Sequence, residues 1–142
     1  MEIRSVGLPT SKIMLVQDYP GFDEIKASAP FQGYKGLELA RMLTEAGIMS
    51  SDCFQTAAIR RQIPQNNLET VIAKAKKYVT PAHKPLWDKY VLEPVLSGKS
   101  FLEREIDLVR PRVVCLFGEA ALFALTGKSG IKKWRGSQIR YT

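Results

Sequence analysis

Three short apolar runs, each cut off by turn or polar residues, constrain this chain more than anything else in it. Lys12–Gln17 (KIMLVQ) stops at Asp18-Tyr19-Pro20-Gly21. Cys53–Ile59 (CFQTAAI) stops at Arg60-Arg61, and Val113–Phe117 (VVCLF) stops at Gly118. Apolar runs without alternation read as strands buried on both faces, the pattern of a parallel sheet covered by helices. The segments between them carry helical spacing. Leu39, Met42, Leu43 and Ala46 predict a helix over 37–46 with Gly47 as its stop. Leu68, Val71, Ile72 and Ala75 predict a second, with Asn67 as N-cap. Leu102, Ile106 and Val109 mark a third, closed by Pro111, and Glu119–Leu125 a fourth. Phe22–Gly36 reads as a long loop, and Val79–Pro94, with three prolines and the only histidine, His83, takes no assignment. Strands alternating with helices predict an α/β fold with a parallel sheet, in one domain over residues 1–142. Ligands of such sheets bind beyond the carboxyl ends of the strands. That directs attention to Asp18–Gly21, Thr56–Arg61 and Gly118-Glu119.

Charge narrows the class of partner. Lys and Arg total 21 against 14 Asp and Glu, a net +7. Residues 59–89 hold seven basic and two acidic side chains. Residues 128–142 hold five basic and none acidic, while the remainder is slightly acidic. Two such blocks are either solubilising faces or contacts to a polyanion, whose neutralised phosphates release counterions. No apolar run approaches the ~18 residues of a membrane span, and Met1–Ser11 lacks the apolar core of a signal peptide. Cys53 and Cys115 sit inside apolar runs, as buried thiols of a reducing compartment do. The expectation is a cytoplasmic protein with no membrane partner.

Few residues suggest chemistry by themselves. Asp18 sits just past a strand end, where a carboxylate either orients a water and stabilises a developing cation or caps a turn. Phe31, in Ala29-Pro30-Phe31 ahead of Gly33 and Gly36, either offers a flat face to a nucleobase or anchors its loop in the core. His83 has no second histidine and no nearby cysteine, so no metal site is expected. Gly127-Lys128-Ser129 lacks the upstream glycine of a phosphate-binding loop. Trp134, between Lys132-Lys133 and Arg135, suits a DNA-backbone contact or packs on the sheet.

Five segments taken in order resemble the uracil-DNA glycosylase superfamily, in particular its bacterial and archaeal thermostable branch and related phage proteins. They are Val16-Gln17-Asp18-Tyr19-Pro20-Gly21, Ala29-Pro30-Phe31-Gln32-Gly33-Tyr34-Lys35-Gly36, and Cys53–Ile59 with Pro64-Gln65-Asn66-Asn67. Arg110–Ala121 and Ile131-Lys132-Lys133-Trp134-Arg135-Gly136 complete the set. The resemblance implies a three-layer α/β/α fold with a short central sheet. It implies an enzyme that extrudes uracil from DNA and hydrolyses its N-glycosidic bond. Asp18 would be the catalytic acid that positions water, and Phe31 would stack on the base. Gln17, Tyr19 and Thr56 would line the base pocket. Arg60, Arg61, Lys132, Lys133 and Arg135 would contact DNA, single- or double-stranded.

The departures from that pattern are expectations too. The thermostable branch carries four cysteines around an iron–sulfur cluster. This chain has two, so no cofactor and no metal are expected. Ala57 stands where the family often has a base-reading asparagine. Residues 67–93 read as a basic insertion. In the family a last strand and a His-Pro-Ser-like loop follow the Arg-Gly segment, so the sheet is expected to lack its last strand, with a second chain covering the open edge. These departures support an alternative, a glycosylase-like module without catalysis that binds DNA or docks a protein. A third reading is a nucleotide-binding α/β domain of other ancestry.

Overall fold

A computed structural model describes residues 1–141. The three apolar runs form one parallel sheet: β1 (Ile13–Gln17), β2 (Cys53–Ala57) and β6 (Val113–Phe117), in the order β2-β1-β6. Gln17, at the end of β1, pairs with Ala57 on one side and Phe117 on the other, so the three strands end level. Strand pleating sends alternate side chains to opposite faces. Leu15 packs with Leu39 and Leu43 of α2 (Gly33–Glu45). Met14 and Val16 pack on the other face, with Leu102 and Val109 of α3 (Glu93–Val109) and Ala121, Ala124 and Leu125 of α4 (Glu119–Thr126). The result is the expected three-layer α/β/α arrangement. Two bridges, Glu2 with Arg61 and Val6 with Gln55, tie the N-terminal segment to the strand-β2 region. No helix among the described residues is long and apolar enough to cross a membrane.

Three regions differ from the sequence expectation. The long loop after β1 contains a six-residue helix, α1 (Phe22–Ala27), and α2 begins at Gly33 rather than Leu37. The only buried side chain of α1 is Glu24, so α1 has no apolar stripe to betray it. The helix expected over 68–75 is absent. Leu68–Thr70 is one 3-10 turn, capped by Asn67 through the Glu69 amide at 3.0 Å, and Ile72–Ala73 forms β3. Val71, Ile72 and Ala73 are consecutively buried, which no single helix face allows. The unassigned stretch supplies β4 (Lys84–Leu86) and β5 (Lys89–Val91), which join β3 in a small antiparallel sheet, β3-β5-β4. Its inner side packs with Ile59, Ile63, Val95 and Phe123, extending the α3–α4 core. A four-residue helix, α5 (Ile131–Trp134), follows α4.

Candidate functional site

The carboxyl ends of β1, β2 and β6 gather the residues the first motif pointed to. Asp18 follows β1 directly, half-buried, and its Oδ1 accepts the Tyr19 amide at 2.8 Å. Its other oxygen lies against the turn after β6. A Cβ at Gly118 would come within 2.5 Å of Asp18 Oδ2, and Gly118 holds φ +110°, a conformation open to glycine. Burial raises the Asp18 pKa above its ordinary 3.8, the Tyr19 amide and the positive charge of Lys35 oppose that rise, and Glu24 adds to it. The same neighbourhood pushes the Tyr19 phenol up, first through burial and then through repulsion by Asp18.

Gln17 and Phe31 share the α2 face of the sheet. Gln17 is buried, and its amide braces the loop: Oε1 accepts the Phe31 amide at 2.8 Å and Nε2 donates to the Tyr19 carbonyl at 3.2 Å. Gln17 therefore holds the backbone of both neighbouring candidates. The Phe31 ring meets Phe117 edge-on, centroids 5.6 Å apart, and its backbone has φ +53°. Glu24, which the sequence reading passed over, orders the segment between Asp18 and Phe31. One of its oxygens accepts the Gly21 amide at 2.8 Å and the other the Gln32 amide at 2.9 Å. Only the spacing Gly21-x-x-Glu24, a capping signature, could have pointed to it. The hydroxyl of Tyr19 donates to the Asn66 carbonyl at 3.2 Å, fastening the motif to the turn at Pro64–Asn66.

Thr56 and Arg60 are not at this site, which corrects both expectations. Thr56 pairs with Val16 and so shares its pleat, on the α3 face. It is fully buried and donates to Glu105 of α3 at 2.6 Å. Arg60 is 6% exposed. Its guanidinium donates to the Ile3 carbonyl, Ser5 and Thr56, lies 3.8 Å from Glu105, and stacks over the Phe101 ring at 3.9 Å. Ser5 also donates to Glu105. An arginine with these partners has no reach to a phosphate. Arg61, by contrast, is half-exposed.

The second basic block keeps its expected exposure. Lys132, Lys133 and Arg135 are exposed on and just after α5, with Lys128 and Lys133 flanking the Trp134 ring at 4.5 and 5.9 Å. Glu119 anchors this element, its two carboxylate oxygens accepting the Gly130 and Ile131 amides at 2.6 and 2.9 Å. Glu119 is the residue after Gly118, so the basic segment is tethered beside Asp18.

The residues present do not fit an iron–sulfur cluster. Cys53 and Cys115 lie on β2 and β6, paired across β1 with Ile13 and Leu15, and burial raises both thiol pKa values. Cluster iron needs four thiolate or equivalent ligands. No group of three or more His, Cys, Asp or Glu side chains converges among the described residues.

Comparison with known proteins extends over nearly the whole chain. The family model of the uracil DNA glycosylase superfamily matches residues 5–140. A type-4 uracil-DNA glycosylase of Thermotoga maritima is 28% identical over 131 residues, which cover 91% of this chain and 57% of that protein. A type-4 uracil-DNA glycosylase of Sulfurisphaera tokodaii is 26% identical over 136 residues, 92% of this chain and 52% of that protein. The chain thus spans about half the length of the curated relatives it matches.

Proposed function

The chain belongs to the uracil DNA glycosylase superfamily, and from that premise we propose that it removes uracil from DNA by hydrolysing the N-glycosidic bond. The observation that carries the reading is the setting of Asp18. It is a carboxylate at the strand ends, half-buried, with one oxygen on a backbone amide and the other against Gly118. In this reading the ionised Asp18 orients a water and takes its proton as the water oxygen bonds to C1′ of the deoxyribose. The C1′–N1 bond breaks with its electron pair going to uracil, which leaves as the anion and is then protonated. Before bond formation is complete the sugar carries positive charge, which the carboxylate stabilises. A raised pKa makes Asp18 a stronger base at neutral pH than an exposed aspartate.

Phe31 would stack on the extruded base, its loop held by Gln17 and Glu24 so that the ring is in place before the base arrives. The first amides of α2 and the positive end of its dipole, with Lys35 nearby, would favour negative charge developing on the base. Tyr19 and Ala57 would complete the pocket wall, and Arg61, Lys132, Lys133 and Arg135 would contact the DNA backbone.

The test is release of free uracil from oligonucleotides with one uracil, single-stranded and paired with adenine or guanine, beside thymine and cytosine controls. The reading expects uracil release and none from the controls. No release from any uracil substrate, with DNA binding intact, favours a glycosylase-like DNA-binding module instead. That second reading draws on Ala57, which offers no side-chain hydrogen bond to a base where the family often has an asparagine.

A further inference from the structure

Lys74 and Lys89 of the first basic block, and Ser129 from the segment after α4, meet at one cleft that the catalytic reading leaves unused. The β4–β5 hairpin is clamped onto the end of α4. The Trp87 ring lies so close to Gly127 that a Cβ there would come 2.7 Å from its Cδ2, and the indole N–H points at the Ala124 carbonyl, 3.4 Å away. Gly127 holds φ +77°, so glycine serves both the helix end and this contact. Between the antiparallel sheet and α4–α5 a cavity of about 250 Å³ remains open. It is lined by Glu69, Lys74, Lys89, Glu119, Phe123 and Ser129, among others.

The charges in this cleft are unequally partnered. Both oxygens of Glu119 are spent on the Gly130 and Ile131 amides. Glu69 and Lys74 stand exposed at the rim. Lys89 is the cation of the interior: its side chain is 12% exposed and its ammonium lies 4.6 Å from the centre of the Phe123 ring. Among the described residues its one ion partner is Asp88, 3.4 Å away and 73% exposed. A sequestered ammonium with a single loose, solvated partner favours an anion from outside. Glu119 lines the cleft and adjoins Gly118, which lies against Asp18, so the cleft and Asp18 share the carboxyl end of β6.

We propose that this cleft is a subsite for a backbone phosphodiester of the DNA strand, flanking the nucleotide held at Asp18, with Lys89 as its cation and Lys74 and Ser129 at its mouth. The assignment rests on DNA being the substrate. The cavity has room for a phosphate with its sugar, and both of its lysines, Lys74 and Lys89, come from the basic insertion.

Binding of uracil-free duplex, read by fluorescence anisotropy over a salt series, tests this separately from catalysis. Lys89→Gln is expected to weaken affinity about tenfold and to reduce the slope of log K against log salt by about one. Lys89→Arg should retain most of the affinity, and Lys74→Gln, whose exposed side chain leaves folding alone, should weaken it about threefold. Scanning single neutral methylphosphonates along the strand should find one flanking phosphate whose loss weakens the wild type but costs Lys89→Gln nothing more. Unchanged affinity and salt slope in both Gln variants, or equal methylphosphonate sensitivity with and without Lys89, overturns the subsite. Uracil release by the same wild-type protein separates the two claims. Lys89-dependent binding without release keeps the subsite and overturns the glycosylase reading, and release with Lys89-independent binding does the reverse.

Discussion

Glu105 and Asp18, two of the carboxylates drawn in near the parallel sheet, are held on opposite terms. Glu105, on α3, is surrounded by donors: Thr56 at 2.6 Å, Ser5, and the Arg60 guanidinium at 3.8 Å, which is itself stacked on Phe101. Asp18 has only backbone amides for partners, with no cation in direct contact, and a glycine turn lies against its Oδ2. A buried charge supplied with partners fixes structure. A buried charge denied them is held at a high energy that binding or catalysis can use. The Glu105 network joins the N-terminal segment, the end of β2 and α3. It sets the frame on which the Asp18 rim stands, without touching that rim.

The sharpest break between the two should be functional. Asp18→Asn is expected to lower single-turnover uracil release by about 10³-fold, in line with loss of a general base, while Glu105→Gln in folded protein should change it less than tenfold. Next in size is stability. Glu105→Ala leaves Arg60 buried without its counter-charge and should cost about 3–5 kcal/mol in denaturant unfolding. Phe31→Ala should lower kcat/KM about 30-fold, about 2 kcal/mol, the order of one base–aromatic stacking contact.

The smallest effect carries the opposite sign. Because burial raises the folded-state pKa of Asp18, its ionisation costs stability as pH rises through that pKa. Asp18→Asn should therefore stabilise the protein by about 0.5–2 kcal/mol at neutral pH. The gap should close as pH falls below the ordinary carboxylate value and both states of the wild type become protonated. A gap of constant size across pH would detach the effect from the charge.

How much of this was visible in the sequence depends on whether a residue's partners are local. The strands of the parallel sheet were legible because burial on both faces leaves continuous apolar runs, and Asp18 because a strand end is where the fold places ligands. Residues 68–75 misled because Leu68, Val71, Ile72 and Ala75 satisfy helical spacing, yet Ile72–Ala73 pair with β5 across an insertion rich in lysine. Helix α1 was invisible since its buried residue is a glutamate. Thr56 and Arg60 looked like site residues because they flank a strand end. Thr56 takes its face from its register with Val16, and the partners it meets there, Ser5 and Glu105, are 51 and 49 residues away. Lys89 read as one more surface charge until the hairpin carried it onto Phe123.

The claim that Asp18 acts as a desolvated base is tested most directly by the pH dependence of single-turnover uracil release. An acid limb governed by an ionisation above the ordinary 3.8 of an aspartate, and absent from the residual activity of Asp18→Asn, is the predicted result. An acid limb at or below that value, or one that persists unchanged in Asp18→Asn, would contradict it.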